Sequence, residues 1–375
     1  MPDRRTVLSV VGARPNFMKT APIIAELQRR PEEFSSVLVH TGQHYDAVMS
    51  EVFFEELGVG APDHMLGVGS GSHAQQTARV MERLEPVLLE IAPDVMLVPG
   101  DVNSTLAASL VACKLGIPVG HVEAGLRSFD RTMPEEINRI VADSVSDLLF
   151  VHSPEAVDNL RAEGIPETRI HRVGNTMIDT LVAMTPRIDA LDAAGRLELT
   201  PGGYLMVTLH RPALVDGPLL FDALSALQTV AETLPVVFPV HPRTRAALEA
   251  AGWREGDGRL RLLEPVGYLE FLSLVKTAAG VITDSGGIQE ETTFLGIPCF
   301  TLRANTERPV TCTVGTNRLL GLDPARILEV PDLIAQGAPR PHAVPQGWDG
   351  MAARRIVDVL ARAQLPPRPA RMSSL

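Results

Sequence analysis

The chain is short of positive charge. Lys and Arg together number 34 against 45 Asp and Glu, a formal net charge of −11. That deficit argues against nucleic acid or an anionic membrane surface as a partner. It leaves room for a phosphate ligand, which a local cluster of cations can hold. Cysteine is scarce too. Cys113, Cys299 and Cys312 form no C-x-x-C pair, and each lies in or near an apolar run. They read as buried free thiols, which excludes a disulfide framework and a thiolate metal cluster. No stretch of about 18 apolar residues occurs, so no membrane span is expected. Arg4 and Arg5 precede an apolar run that Gly12, Arg14 and Pro15 interrupt too early for a secretory signal. The chain therefore reads as cytoplasmic. Aromatic residues make up only 4% while hydrophobic residues make up 45%. The core must then be Val, Leu, Ile and Ala, the composition of buried parallel strands covered by helices.

What is present is alternation over 375 residues, a length that suggests two domains. Apolar, β-branched runs at 6–11, 37–40, 95–98, 118–122, 148–151 and 169–173 read as strands. Helical spacing fills 16–30, 106–115 and 153–164. The pattern predicts a doubly wound α/β sheet. Between 186 and 203, charged, Pro and Gly residues replace this rhythm, and we read a linker there. A second series follows, with strands predicted at 204–209, 235–240, 281–283 and 297–302. The expected division is a first domain at 1–185, a second at 204–350, and a C-terminal helix and tail at 351–375 returning toward the first. The tail at 366–371 is rich in Pro and Arg and reads as irregular. The glycine-rich stretch 67–71 follows no strong strand, so it reads as a mobile surface loop rather than a phosphate loop.

In open parallel sheets ligands bind beyond the carboxyl ends of the strands. After the first strand, Arg14 and Lys19 put two cations on a turn entering a helix, a good anion site. Asp101 follows the strand at 95–98 and Glu123 the strand at 118–122. Glu135 and Glu136 open a helix; being adjacent, they cannot both face one direction. One acid near a helix start is often only a cap. Several acids gathered at strand mouths are harder to explain that way. In the second half, His210-Arg211 and His241 follow strands. The run from Asp284 to Glu291 joins a strand to a helix through Gly286 and Gly287, whose backbone can approach a diphosphate. Glu291, near the first turn, can accept from ribose hydroxyls. Arg303, Thr306, Glu307 and Arg308 follow the next strand and offer charge-assisted phosphate contacts.

These segments resemble the non-hydrolysing UDP-N-acetylglucosamine 2-epimerases. The matching motifs are Gly12-Ala13-Arg14-Pro15, Pro99-Gly100-Asp101, His121 to Arg127, Pro134 to Arg139, Gly174-Asn175-Thr176, Thr283 to Glu291, and Thr306-Glu307-Arg308-Pro309. They run in the family's order from residue 12 to residue 309. The resemblance implies two Rossmann-like domains in a glycosyltransferase-B-like architecture, with the active site in the inter-domain cleft. It also implies a homodimer without metal or nicotinamide cofactor. The implied reaction inverts C2 of a UDP-linked 2-acetamido sugar by eliminating UDP to a 2-acetamidoglucal and adding it back. The family's catalytic acids fall on Asp101, Glu123 and Glu135, and its catalytic histidine on His210. Its substrate-binding residues fall on Arg14, Lys19, Ser285, Gly286, Gly287, Glu291 and Arg308, with Phe271 packing on uracil. A second, allosteric nucleotide-sugar site falls on Gln43, Glu136 and His241.

The chain departs from the family in two places. The histidine motif, commonly His-Arg-Arg-Glu, reads His210-Arg211-Pro212-Ala213 here. The segment Gln43-His44-Tyr45-Asp46 also differs from the commoner pattern of the allosteric site. Three rivals share parts of the pattern. A 2-epimerase for a UDP-2,3-diacetamido uronic acid would share nearly all of it. A UDP-sugar glycosyltransferase of the same architecture would share the nucleotide half without needing three acids. A non-catalytic nucleotide-sugar sensor could dispense with the acids, and all three are present.

Overall fold

Two wholly parallel sheets organise the computed structural model, which describes residues 4–43, 58–253, 259–337 and 343–365. The first holds β1 (Arg5–Val11), β2 (Phe34–His40), β3 (His64–Met65), β4 (Val95–Pro99), β5 (Val119–Val122), β6 (Leu148–Val151) and β7 (Ile170–Arg172). Their spatial order is β3-β2-β1-β4-β5-β6-β7. The second holds β8 (Leu205–Thr208), β9 (Val236–Pro239), β10 (Leu260–Leu263), β11 (Gly280–Thr283), β12 (Cys299–Thr301) and β13 (Asn317–Leu319). Its order is β10-β9-β8-β11-β12-β13. Both orders reverse once, between β1 and β4 and between β8 and β11. A ligand crevice in such a sheet opens at that reversal, beyond the strand ends.

The strands are apolar on both faces because both faces are covered. In the first sheet Leu8, Val10, Met96 and Val98 pack with the helix His73–Ile91, through Val80, Leu84 and Leu88. Their neighbours Val7, Val95 and Leu97 point the other way, against Ile23 and Leu27 of the helix Arg14–Gln28 and Ile356, Val357 and Leu360 of the helix Ala352–Arg362. The second sheet divides likewise: Leu205, Val207, Phe238 and Ile282 face one core, and Met206, Val237 and Val281 the other.

The chain divides into two compact units, Met1–Val182 with Gln346–Leu375, and Ala183–Pro345. The stretch at 186–203 is not an irregular linker. The helix Thr176–Leu191 runs through Pro186, and Ala193–Arg196 forms a further short helix. The unit boundary falls inside the first of these helices. The C-terminal helix is capped by the first unit: Asp179 accepts from the backbone N–H groups of Ala352 (3.1 Å) and Ala353 (2.7 Å). Trp348, fully buried, donates from its indole to the carbonyl oxygen of His152 at 2.9 Å.

The glycine-rich stretch is a surface loop, as expected, after only the two-residue β3; Val68 and Gly69 donate to Thr41 and Gly42 (both 2.9 Å). It then leads into the helix His73–Ile91, which Ser72 caps by accepting from Gln75 N–H. The thiols are not all buried, contrary to expectation. Cys299 is, and burial pushes its thiol up to about 12, but Cys113 is exposed and Cys312 half-buried. Cys113 sits next to the last residue of the helix Asn103–Lys114, where an apolar run in sequence does not mean an apolar face. Among the described residues no helix is long and apolar enough to cross a membrane. His44, Tyr45 and Asp46 and the tail at 366–371 lie outside the described residues.

Candidate functional site

At the β1/β4 reversal of the first unit, Asn16 ties the two strand exits together. Its side-chain oxygen accepts from Gly12 N–H (3.2 Å) and Ala13 N–H (3.1 Å), while its amide donates to Pro99 O at 2.9 Å. Arg14 opens the helix that carries Lys19 into this region. Lys19, buried, forms an ion pair with Glu123, which is also buried. Glu123 sits just past β5 with a left-handed φ of 70°, a conformation that costs a non-glycine residue about 1–3 kcal/mol and clusters at functional sites. Gly100 follows β4 with φ 67°; a Cβ there would come 2.9 Å from Lys19 Nζ. Its neighbour Asp101, part-exposed, forms an ion pair with buried Arg139.

The helix Pro134–Val145 supplies that arginine. It also supplies Asn138, which donates to the carbonyl oxygen of Asp101 at 2.8 Å. Glu135, half-buried, lies in the first turn of the same helix. Glu136 is fully buried. It accepts from the backbone N–H groups of Ser128 (3.0 Å) and Phe129 (2.8 Å) and pairs with Arg139 at 2.8 Å. Burial pushes its carboxyl up, but these donors and the guanidinium outweigh burial and hold it below the usual carboxylate range. Gln43 is likewise engaged, accepting from Ser104 N–H (3.1 Å) and Ser104 O–H (2.7 Å).

At the β8/β11 reversal of the second unit, Asp284 organises the exits. One oxygen accepts from the backbone N–H groups of His210 and Arg211, both at 2.8 Å. The other lies 3.2 Å from His210 Nδ1, close enough for ion pairing but off the line of a good hydrogen bond. The His210 ring stacks obliquely on His241, centroids 5.6 Å apart. Ser285 is the N-cap residue of the helix Gly286–Leu295, and its hydroxyl caps nothing. Its N–H groups and the dipole favour an anion at this end. Gly286 has a second reason to be glycine: a Cβ would lie 2.5 Å from Arg308 Nη1. Gly287 is the second helical residue.

Three arginines surround the carboxylate of Glu307. Arg308 Nη1 lies 2.6 Å from it, Arg303 Nη2 2.7 Å and Arg211 Nη2 3.8 Å. Burial pushes the Glu307 carboxyl up; the three guanidiniums outweigh it and hold the group ionised, well below its ordinary range. Arg308 Nε also lies 2.9 Å from Glu290. With Asp284, one residue before the helix cap, three carboxylates face three guanidiniums, so the cluster carries no excess charge. Thr306, expected to meet phosphate, donates instead to Gln289 at 2.7 Å. Glu291 lies in the second helical turn rather than the first; Tyr268 donates to it at 2.9 Å. Phe271 packs at the edge of the apolar cluster around Tyr204 and Leu274.

The structure therefore brings Asp101, Glu123 and Lys19 together in the first unit, and His210, His241, Ser285, Gly286 and Arg308 in the second, with Glu135 on the helix Pro134–Val145 and Glu291 on the helix Gly286–Leu295. Sequence reading assigned no role to Asn16, His121, Arg139, Asp143, Tyr268 or Asp284. His121, Arg139 and Asp284 fall inside the matching motifs and Asn16 beside one, while Asp143 and Tyr268 belong to none.

The comparisons with known proteins follow this grouping. A family model described as UDP-N-acetylglucosamine 2-epimerase matches residues 25–361. A UDP-N-acetylglucosamine 2-epimerase of Methanococcus maripaludis is 42% identical over 369 residues, 95% of this chain and 98% of that one. A UDP-2,3-diacetamido-2,3-dideoxy-D-glucuronate 2-epimerase of Pseudomonas aeruginosa is 42% identical over 329 residues, 86% of this chain and 90% of that one. Among solved structures, the Methanocaldococcus jannaschii UDP-GlcNAc 2-epimerase in complex with UDP-GlcNAc and UDP superposes with a TM-score of 0.88 at 39% identity. That match covers 96% of this chain and 100% of that one.

Proposed function

The chain belongs to the UDP-N-acetylglucosamine 2-epimerase family, a family of isomerases, and from that premise we propose that it interconverts UDP-GlcNAc and UDP-ManNAc without hydrolysing them. The observation that carries this reading is the placement of two carboxylates, Asp101 and Glu123, at adjacent strand exits, each held by a cation. C2–H of a sugar is weakly acidic until the C1–O bond begins to break. Deprotonation at C2 with loss of UDP from C1 gives the 2-acetamidoglucal. Adding UDP back at C1 and a proton to the opposite face of C2 gives the epimer. Two faces require more than one proton-handling group, and Asp101, Glu123 and Glu135 supply them; correctly placed groups contribute about 10²–10⁴ in rate.

Departing UDP needs preorganised positive charge. Ser285, Gly286 and Gly287 at the helix start, with Arg308 and the cations Arg14 and Lys19, are the groups for it. Glu291 takes the ribose and Phe271 the uracil. We also propose a homodimer, and Gln43, Glu136 and His241 as contributors to a regulatory nucleotide-sugar site.

A second reading has its own support: the Pseudomonas aeruginosa relative acts on a 2,3-diacetamido glucuronate and matches this chain at 42% identity. Incubation with each UDP-sugar and no acceptor separates the two, because only the true substrate yields its 2-epimer. Run in D₂O, the reaction should place deuterium at C2 of the product. Product formed without any C2 deuterium would sink the elimination mechanism.

A further inference from the structure

Behind the two acids lies a fully buried polar chain that the proposed chemistry does not use. His121 sits in β5, two residues before Glu123, with no exposed surface. Its Nε2 lies 2.7 Å from the carbonyl oxygen of Gly100, the residue before Asp101. Its Nδ1 lies 2.6 Å from Asp143, equally buried, near the end of the helix Pro134–Val145. The other Asp143 oxygen accepts from Gly125 N–H at 3.1 Å, two residues past Glu123, and lies 2.7 Å from Arg127 Nη1. Arg127 in turn is held by Glu163 through two contacts of 2.7 and 2.6 Å.

We infer that His121 and Asp143 are positioning residues that lock the turn bearing Asp101 to the turn bearing Glu123. The inference rests on the epimerase reading above and deepens it. Both turns use left-handed backbone, at Gly100 (φ 67°), Glu123 (φ 70°) and Gly125 (φ 80°). Such conformations persist only where the surroundings over-determine them. Backbone bonds hold each turn, from Gly100 N–H to Val122 O (2.9 Å) and from Glu123 N–H to Phe150 O (3.0 Å), and one side-chain chain joins the two, running from Gly100 O through the imidazole and the carboxylate to Gly125 N. Burial alone pushes the Asp143 carboxyl up, but His121 and Arg127 outweigh it and hold the group ionised, so it stays an acceptor. The same helix also grips Asp101 directly through Asn138 and Arg139. Asp143 therefore fixes both acids against one element. A core histidine that merely filled space would need neither partner in line.

The test uses the full chain with Asp143→Asn, which keeps the shape and removes the charge, and with His121→Asn, which cannot reach both partners. UDP titration reports the second unit, which holds Ser285, Gly286, Gly287 and Arg308, and a thermal melt checks that the first unit is folded. Turnover of the wild type's own substrate is then measured per competent site. Misplaced acids should lower kcat about 10²-fold while KM and UDP affinity stay within about twofold. His121→Gln, whose amide can still reach Gly100 O, should recover part of the loss. If His121→Asn does not fold, Asp143→Asn carries the same test. Variants that bind UDP and turn over like wild type would overturn the inference and leave the epimerase reading intact. A wild type that epimerises none of the tested UDP-sugars would remove both.

Discussion

At the exits of β4 and β5 the first unit presents carboxylates, each paired with a cation. At the exits of β8 and β11 the second presents a free helix start and three guanidiniums crowded on Glu307. The two sheets share their strand order around the reversal, so topology does not account for the difference. Side chains do. In the first unit Asp101 and Glu136 share Arg139 while Lys19 holds Glu123, so carboxylates outnumber cations, which suits groups that must take protons. In the second, the helix start and guanidiniums held in place by Glu307 and Glu290 suit a departing diphosphate. A doubly wound sheet thus offers a place for a ligand, and only the residues at that place say what is done there.

The comparison can be broken most decisively from the acid side. Glu123→Gln or Asp101→Asn should cut turnover by about 10²–10⁴ and leave UDP affinity nearly intact. Loss of UDP binding in either variant would place that acid with the nucleotide groups and end the division of labour. Glu291→Ala should do the reverse. It removes a charged acceptor and strands the Tyr268 hydroxyl, weakening UDP by about 1–3 kcal/mol in a calorimetric titration. An unchanged affinity would leave Glu291 a structural partner of Tyr268.

A smaller effect concerns the helix joined to the first unit by Asp179. Burial raises this carboxyl to about 6, against the opposing pull of the Ala353 and Ala352 N–H groups. A raised acid holds its proton longer when folded than when unfolded. Its contribution to stability is therefore full below the unfolded value near 4 and is lost as pH rises toward about 6. Unfolding free energies of wild type and Asp179→Asn should diverge in slope across that window, with the wild type falling relative to the variant as pH rises. Parallel pH curves would show that Asp179 titrates normally.

The central strands were legible because parallel strands buried on both faces are unbroken apolar runs: 95–98 and 148–151 need no alternation to be recognised. The edge strands His64–Met65 and Asn317–Leu319 were not, being short and partly polar. The end of the helix Thr176–Leu191 reads as linker in sequence because Pro186 and the charges after it mimic one. Asp101, Glu123 and His210 stood out because each follows an apolar run directly. Their partners did not. Arg139 and Asp143 lie on a helix whose docking determines which strand exits they meet, and Asp284 acts on His210 from 74 positions away. Such pairings are set by tertiary packing, which local pattern does not encode.

The first unit is discontinuous in sequence, closed by the helix Ala352–Arg362. Val7, Leu97 and Phe150 share a core with Ile356 and Leu360, and Arg5 donates to the carbonyl oxygen of Ala363 at 3.2 Å. On a ribosome this reverses the usual schedule, in which the N-terminal domain folds first as the chain emerges. The unit begun first has no complete core until the helix Ala352–Arg362 has been made. The second unit, contiguous in sequence, is free to finish ahead of it. The newborn N-terminal half must then wait with apolar sheet surface uncovered, a window in which chaperone capture competes with closure. Protease resistance of ribosome-arrested chains of increasing length would read that order directly: protection of the second unit should precede protection of the first.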